Sequence, residues 1–171
     1  MTEPKPISRD RLAELLNEDL AREYQAIIAY VVYSQVLKGA EYMNIADQLE
    51  THAQQELQHA LIISRQIDYL GKMPTANPRP VKVSENPKEM LKFDLDNENE
   101  TVRNYRERVR QCEAIGEFAL AEQIRQLFKG LGLLPGRRAR HHSDHCDYFG
   151  FDGTHIAAAR GNHAGQSATA G

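Results

Sequence analysis

The chain contains little cysteine, no tryptophan and no long run of apolar residues. Its 171 residues include only two cysteines, Cys112 and Cys146, which excludes a disulfide scaffold and any metal site built on paired Cys-x-x-Cys motifs. No segment approaches the roughly 18 to 20 apolar residues that cross a bilayer, and the first residues lack the apolar core of a signal peptide. We therefore expect a cytoplasmic protein without membrane contact, whose metal chemistry, if any, uses oxygen and imidazole ligands.

The charge balance also lacks a basic excess. Lysine and arginine number 21 against 24 acidic residues, which gives a formal net charge of -3. Because nucleic-acid binding usually requires a strongly basic surface, we expect no nucleic-acid partner. The hydrophobic content of 41% is ordinary for a globular protein of this length and favours one domain.

Proline is absent from residue 8 to about residue 70, and this segment predicts two long helices. The first follows Ser8, which is a suitable N-cap, and ends near Gly39. The second helix is predicted from about residue 41 to Gly71. Two long helices joined by a short turn are expected to pack antiparallel.

Pro74, Pro78 and Pro80, followed by Pro87, then forbid a helix between residues 72 and 86 and favour an extended connection. In helix bundles, a connection of this length carries the chain from one end of the bundle to the other. A third helix is predicted over residues 87 to about 114, and a fourth begins near Gly116. The sequence thus predicts an all-α four-helix bundle with a long crossover between helices 2 and 3.

The composition changes abruptly after residue 128. Eight of the 11 glycines and five of the seven histidines lie in residues 129–171, where no helical apolar period continues. We therefore expect a truncated fourth helix and an irregular or disordered tail. The predicted organisation is a helical bundle over residues 8–128 and a Gly/His/Arg-rich tail over residues 129–171 that forms no domain of its own.

Each of the first three helices places a carboxylate on its core-facing stripe. The stripe advances by alternating steps of three and four residues. The residues on these stripes are Leu12, Leu16, Leu20, Glu23, Ile27, Tyr30, Ser34 and Leu37, then Ile45, Leu49, His52, Glu56, His59, Ile63 and Ile67, and then Leu91, Leu95, Glu98, Val102, Tyr105, Val109 and Cys112. Glu56 is followed three residues later by His59, on the same face of the helix.

A buried carboxylate without a partner loses hydration free energy on the order of several kcal/mol, and neighbouring buried carboxylates also repel one another. Metal cations remove both costs. Taken singly, Glu56 and His59 are compatible with a surface pair, and Glu23 or Glu98 with an ion pair to Arg22 or Arg103. Taken together on three helices, the acids favour a metal site.

The spacing between the acids indicates where a complete site would continue. Glu23 and Glu56 are 33 residues apart, as the midpoints of two antiparallel helices of about 30 residues would be. A repeat of this spacing from Glu98 leads to positions 131 and 134. Both are leucines, Leu131 and Leu134, so the sequence offers no second Glu-x-x-His there.

Three segments carry a resemblance to a known family: "REYQAIIAY" with Glu23 and Tyr30, "QQELQHA" with Glu56 and His59, and "DLDNENETVRNY" with Glu98. Over about residues 8–128 the chain resembles the ferritin-like superfamily, and within it the bacterioferritin and bacterial ferritin branch. The shared pattern is a Glu from each of two helices plus a Glu-x-x-His from each of the other two. The tail departs from the family.

The resemblance implies a di-iron site that oxidises Fe(II) with dioxygen or peroxide, and ferric iron stored in a shell of 24 identical subunits. It implies that Glu23 and His59 bind one iron, that Glu56 bridges and that Glu98 binds the second. Tyr30 would hydrogen-bond to this site, although an ordinary packed tyrosine fits its position equally well. Haem is not expected, because bacterioferritins that bind it carry a methionine where this chain has Leu57.

The missing fourth-helix ligands leave alternatives open. We expect the second iron to bind poorly and oxidation to be impaired, so the chain is alternatively an inactive structural subunit or interaction partner of a ferritin-like assembly. The tail is compatible with a shifted reading frame, with an extension that folds back, or with loose binding of Zn(II) or Ni(II). Its possible ligands are His141, His142, Asp144, His145, Cys146 and Asp147.

Overall fold

The computed structural model describes residues 6–39 and 42–130. Four α-helices occupy them: α1 (Arg9–Val36), α2 (Met43–Tyr69), α3 (Pro87–Ala114) and α4 (Phe118–Gly130). Within these segments there is no strand, and no helix is both long and apolar enough to cross a membrane. The predicted all-α four-helix fold is confirmed. Residues 131–171 lie outside the described residues, so the irregular tail remains a prediction, as does the division at residue 128.

Local chemistry fixes the helix ends. Ser8 caps α1 as predicted, since its side-chain oxygen accepts a hydrogen bond from the backbone nitrogen of Arg11 at 3.1 Å. Asn86 caps α3 in the same way, directly before Pro87 at the first helical position. The turn between α3 and α4 contains Gly116 at φ +80°, a conformation that is strained for residues with a side chain.

The helices α1 and α2 form an antiparallel hairpin. The amide of Gln35 near the end of α1 donates to Glu50 near the start of α2 at 2.9 Å. At mid-helix, Glu23 of α1 lies beside His59 in the second half of α2. Residue numbers therefore decrease along α1 in the direction in which they increase along α2. This antiparallel arrangement is the one expected from the short turn between the two helices.

The third helix also runs antiparallel to α1. Tyr30 hydrogen-bonds to Glu98, whereas Asp19, three turns earlier on α1, pairs with Arg108, nearly three turns later on α3. Helix α3 is therefore parallel to α2. The long connection between them makes this possible because it returns the chain to the end of the bundle at which α2 began.

The extended connection achieves this return by lying along α1. Its polar groups contact α1 in ascending order, which shows that it runs in the same direction as this helix. The contacts join Asn17 to Met73 and Thr75, Ala21 to Arg79, Gln25 to Pro80, and Tyr33 to Lys82.

The bundle interior changes character along its axis. Near the start of α1 it is a continuous apolar core that includes Leu12, Leu16, Ile63, Ile67 and Ile124. From the level of Asp19 onward, buried polar and charged side chains share the interior with apolar ones such as Leu49 and Met90. The apolar end stabilises the bundle and thereby holds the polar section in place, as hydrophobic burial is the main favourable contribution to folding.

Candidate metal centre

Three predicted ligands meet in the polar section of the bundle. One ligand atom from each of Glu23, Glu56 and His59 lies within 4.8 Å of the other two, and all three residues are buried. Nδ1 of His59 is 2.8 Å from Oε2 of Glu56 and 3.5 Å from Oε2 of Glu23. The 3-residue spacing on α2 puts Glu56 and His59 on one face, and the antiparallel α1 brings Glu23 opposite them.

One carboxylate oxygen of this cluster is left without a partner. Oε2 of Glu23 is buried and accepts no hydrogen bond within the described part of the chain. An unsatisfied buried carboxylate oxygen is costly, and native proteins rarely retain one without a functional reason. A divalent cation between Glu23, Glu56 and His59 would satisfy this oxygen, so the donor set fits a metal ion.

The cluster holds protons where a cation would bind. Burial favours the neutral imidazole, but the two neighbouring carboxylates, Glu23 and Glu56, outweigh it and raise the pKa of His59 to about 10. Burial raises the pKa of Glu56 well above its usual range, and the charge of Glu23 adds to this effect. Burial also acts to raise the pKa of Glu23, but the nearby His59 and Glu56 and the hydrogen bond from Tyr105 bring it below the ordinary value. Glu23 is therefore the carboxylate that stays ionised.

The fourth predicted ligand, Glu98, lies next to this cluster but is held by a tyrosine. Tyr30, which is 1% exposed, donates its hydroxyl hydrogen to Oε1 of Glu98 at 2.5 Å. Burial raises the pKa of Glu98, and burial together with the Glu98 charge raises that of the Tyr30 phenol well above its usual range. The structure thus places Tyr30 against the predicted ligand of the second iron.

The ion pairs considered as alternatives for Glu23 and Glu98 are not formed. The arginine next to Glu23 on α1, Arg22, forms its ion pair with Glu100 of α3. The side chain of Arg103 is exposed, on the opposite side of α3 from the bundle interior. Neither acid is therefore explained as a flank residue of a surface ion pair.

Two supporting groups were not assigned to the site by the sequence. Tyr105 of α3 donates its hydroxyl hydrogen to Oε1 of Glu23, the oxygen that does not face His59. One turn further on, Arg108 pairs with Asp19 through Nε and Oδ2 at 2.7 Å. Tyr105 stood on the predicted core stripe, but its partner depends on how α1 and α3 are aligned.

A third missed residue is Asp94, one turn before Glu98 on α3. It is 4% exposed, and burial raises its pKa well above the usual range, with the Glu98 charge adding to this. The predicted stripe for this part of α3 was wrong. Leu91 and Leu95, which were expected in the core, are half-buried, whereas Met90 and Asp94 face the interior.

The fourth helix adds no ligand to the cluster over the part of it whose side chains are described, residues 118–127. The positions where a second Glu-x-x-His was sought, Leu131 and Leu134, lie outside the described residues. So do the possible tail ligands, with His141, His142 and His145 among them. These tail assignments remain predictions.

Comparison with known proteins agrees with the fold. Residues 13–129 match the ferritin-like domain family, and the chain belongs to this family. It is 28% identical over 130 residues to the bacterioferritin of Brucella melitensis, covering 75% of this chain and 74% of the relative. Over 110 residues it is 28% identical to the bacterial ferritin of Synechocystis sp., covering 64% and 68%.

Solved structures extend the comparison. A ferritin-like diiron-carboxylate protein from Bacillus anthracis superimposes with a TM-score of 0.65 at 32% identity, covering 74% of this chain and 90% of that one. The bacterioferritin of Rhodobacter capsulatus, whose structure contains a metal-free dinuclear site and a haem iron, gives a TM-score of 0.69 at 22% identity, with 91% and 89% covered. The latter supports the fold alone.

Proposed function

We propose that this protein binds Fe(II), oxidises it to Fe(III) with dioxygen or peroxide, and contributes to iron storage. The observation that carries the proposal is the buried oxygen of Glu23 that accepts no hydrogen bond, beside Glu56 and His59. Family membership and similarity to bacterioferritins and to a diiron-carboxylate protein support the same chemistry. The cytoplasm remains the expected compartment.

Each of the four proposed ligands has its own role in iron binding. Glu23 and His59 would bind one ferrous ion, Glu56 would be shared between two ions, and Glu98 would bind the second. Carboxylates are hard ligands that bind both Fe(II) and Fe(III), and the imidazole adds a nitrogen donor. Tyr105 orients Glu23, and Tyr30 orients Glu98, because each donates a hydrogen bond to one carboxylate oxygen and leaves the other available.

Iron binding must also release protons. The ring nitrogen of His59 that faces the carboxylates carries a proton at neutral pH, since the pKa of this residue is raised to about 10. A nitrogen binds a metal only after it loses its proton. A cation that binds between Glu23, Glu56 and His59 would therefore displace the proton from His59, whose ring nitrogen now lies 2.8 Å from Glu56 and 3.5 Å from Glu23.

We further propose that the oxidation is slow. The family pattern gives the second iron a Glu and a His from the fourth helix, and this chain has Leu131 and Leu134 at those spacings. Two-electron transfer from an iron pair requires both ions to be held at once. A weakly held second ion therefore lowers the rate without removing the first site.

Haem is not part of the proposal. Leu57, at the position where haem-binding bacterioferritins carry methionine, is exposed on the outer side of α2 and lines a cavity of about 360 Å³ between α1 and α2. The other lining residues are Ile27, Val31, Ser34, Gln35, Glu50, Ala53 and Gln54. None of them is a methionine, histidine or cysteine, the usual axial ligands of haem iron.

The same outer face supports self-association. Ile28, Val31, Leu57 and Leu61 are between 41% and 54% exposed, and adjacent exposed apolar side chains are typical of an interface. We propose a homo-oligomer that uses this face, with the 24-subunit shell as its largest form. This face equally favours the second candidate function, an assembly subunit without iron chemistry.

An anaerobic Fe(II) titration of the full-length, chelator-treated protein, followed by exposure to air, separates the two functions. The iron proposal expects at least one tight site per chain and oxidation faster than in buffer. Glu56→Gln should abolish both, because it removes the shared carboxylate. The matched control is Glu50→Gln, an exposed glutamate of the same helix, which should change neither. Absence of tight binding in an assembled protein would support the structural subunit instead.

A further inference from the structure

Helix α2 carries two histidines on its buried side, one on each side of Glu56. His52 precedes Glu56 by four residues and His59 follows it by three, so all three project from one face of the helix. His59 lies toward Glu23. His52 lies one turn in the opposite direction, toward the part of the interior that contains Tyr30 and Glu98.

Tyr30 places His52 and Glu98 in the same pocket. The rings of Tyr30 and His52 meet edge to face with their centroids 5.9 Å apart. The hydroxyl of the same tyrosine donates to Glu98 and also interacts with the carboxylate of Asp94. An imidazole from α2 and a carboxylate from α3 therefore both contact one buried tyrosine.

We propose that His52, Glu56 and Glu98 form a second metal position, in which His52 replaces the imidazole that the fourth helix does not supply. Each of the two positions then contains one imidazole from α2, one carboxylate of its own and a share of Glu56. The ligand is a first-row divalent cation, for which mixed imidazole and carboxylate donors are suitable. This inference rests on the proposed function, since Glu56 serves both positions.

The two positions differ in how far their ligands have converged. Among the described residues, the ligand atoms of Glu23, Glu56 and His59 already lie within 4.8 Å of one another, and those of His52, Glu56 and Glu98 do not. Tyr30 donates its hydroxyl hydrogen to one oxygen of Glu98 and leaves the other oxygen available to a metal. Because the second cation must still bring the ligand atoms of His52, Glu56 and Glu98 together, it binds after the first and more weakly.

Cobalt(II) titration of the full-length, chelator-treated protein tests the inference without relying on iron oxidation. Bound Co(II) is counted by its visible absorption. The wild type is expected to bind two ions per chain, the second at least about tenfold more weakly. His52→Ala should keep the first ion and lose the second. His52→Asp should restore a second ion, because the carboxylate is again a ligand.

A tail variant serves as the control. Replacing all five tail histidines, His141, His142, His145, His155 and His163, by alanine removes the alternative source of imidazole and should leave both ions bound. Circular dichroism verifies that each variant retains the helical fold. If His52→Ala loses the helical fold, His52→Gln is used in its place.

The outcomes separate the two proposals. One ion in the wild type, two ions in His52→Ala, or loss of the second ion in the tail variant would each overturn the role of His52 while leaving the first site in place. No bound ion in the wild type would overturn both this inference and the proposed iron chemistry.

Discussion

The buried ion pair between Asp19 and Arg108 gives the sharpest stability prediction. Asp19 is 1% exposed and Arg108 is 5% exposed, and the guanidinium reaches both carboxylate oxygens, at 2.7 and 3.4 Å. Burial nevertheless raises the pKa of Asp19 from 3.8 to about 6, because it outweighs the attraction of Arg108. The pair therefore compensates only part of the cost of burying the carboxylate.

The sign and size of the effect follow from the two pKa values. A carboxyl group whose pKa is higher in the folded state than in the unfolded chain destabilises the fold when it is ionised. With pKa values of about 6 and 3.8, the cost is about 3 kcal/mol above pH 6 and vanishes below pH 3.8. Between about pH 7.5 and 4.5, this group alone should add about 2 kcal/mol to the free energy of unfolding.

The effect is measured by urea unfolding of the metal-free protein at these two pH values. The free energy of unfolding of the wild type is compared with that of the double variant Asp19→Leu/Arg108→Met. The double variant has no titrating group at this position and is expected to match or exceed the stability of the wild type at neutral pH. On acidification, the wild type should gain about 2 kcal/mol relative to it. The single variant Arg108→Met should lose about 3 kcal/mol at neutral pH, because it leaves Asp19 without a partner.

The control is an exposed pair on α1, Arg11 and Glu14, whose side chains are 50% and 62% exposed. Replacing both by alanine should change the free energy of unfolding by less than about 0.5 kcal/mol at either pH. The reasoning about Asp19 is refuted if the difference between the wild type and Asp19→Leu/Arg108→Met is the same at both pH values, or if acidification favours the double variant.

Two further substitutions test the site and the outer face. Tyr105→Phe removes the hydrogen bond to Glu23 and should weaken the affinity of the first site for Co(II) about 10- to 100-fold. The control Tyr69→Phe, at an exposed position of α2, should leave this affinity unchanged. Equal affinities in the two variants would exclude an orienting role for Tyr105. Leu57→Asp places a charge in the exposed apolar face and should shift the sedimentation coefficient toward that of the monomer, with unchanged helix content. The control Gln58→Asp changes an exposed polar neighbour and should not shift it. An oligomer that is unchanged in Leu57→Asp would mean that the interface lies elsewhere.

Most of the fold is predictable from the sequence because its signals are local. Ser8 caps the first helix, and Pro87 starts the third at the residue where the structure begins it. The prolines of the crossover exclude a helix by their covalent geometry. Helix bounds differ by about two residues: α2 runs from Met43 to Tyr69 instead of from about residue 41 to Gly71, and α4 begins at Phe118 instead of near Gly116.

The position of Asp94 could not be predicted in this way. The sequence rule selects apolar residues for the core stripe and therefore placed Leu91 and Leu95 there. The structure rotates this part of α3 so that Asp94 points inward, while Phe93 on the flank packs under Lys82 of the crossover, 5.4 Å from its ring centre. A charged residue is acceptable at this depth only because the neighbouring interior is already polar.

The hydrogen bonds that support the ligands depend on long-range alignment. Tyr105 meets Glu23, and Arg108 meets Asp19, across more than 80 residues of sequence. A shift of one turn between α1 and α3 would give each of them a different partner. Periodicity places these side chains on the correct faces but carries no information about this alignment.

The charge balance of the interior supports the proposed cation binding although the sequence lacks the fourth-helix ligands. Apart from Glu117, which pairs with Arg9 near one end of the bundle, the buried carboxylates among the described residues are Asp19, Glu23, Glu56, Asp94 and Glu98. The buried cations near them are Arg108, protonated His59 and Arg22, which acts on Asp19 but forms its ion pair with Glu100. Burial raises the pKa values of Glu56, Asp94 and Glu98, so protons neutralise the remainder. All five carboxylates come from α1, α2 and α3, and the tendency to exchange these protons for divalent cations is therefore independent of how the fourth helix ends.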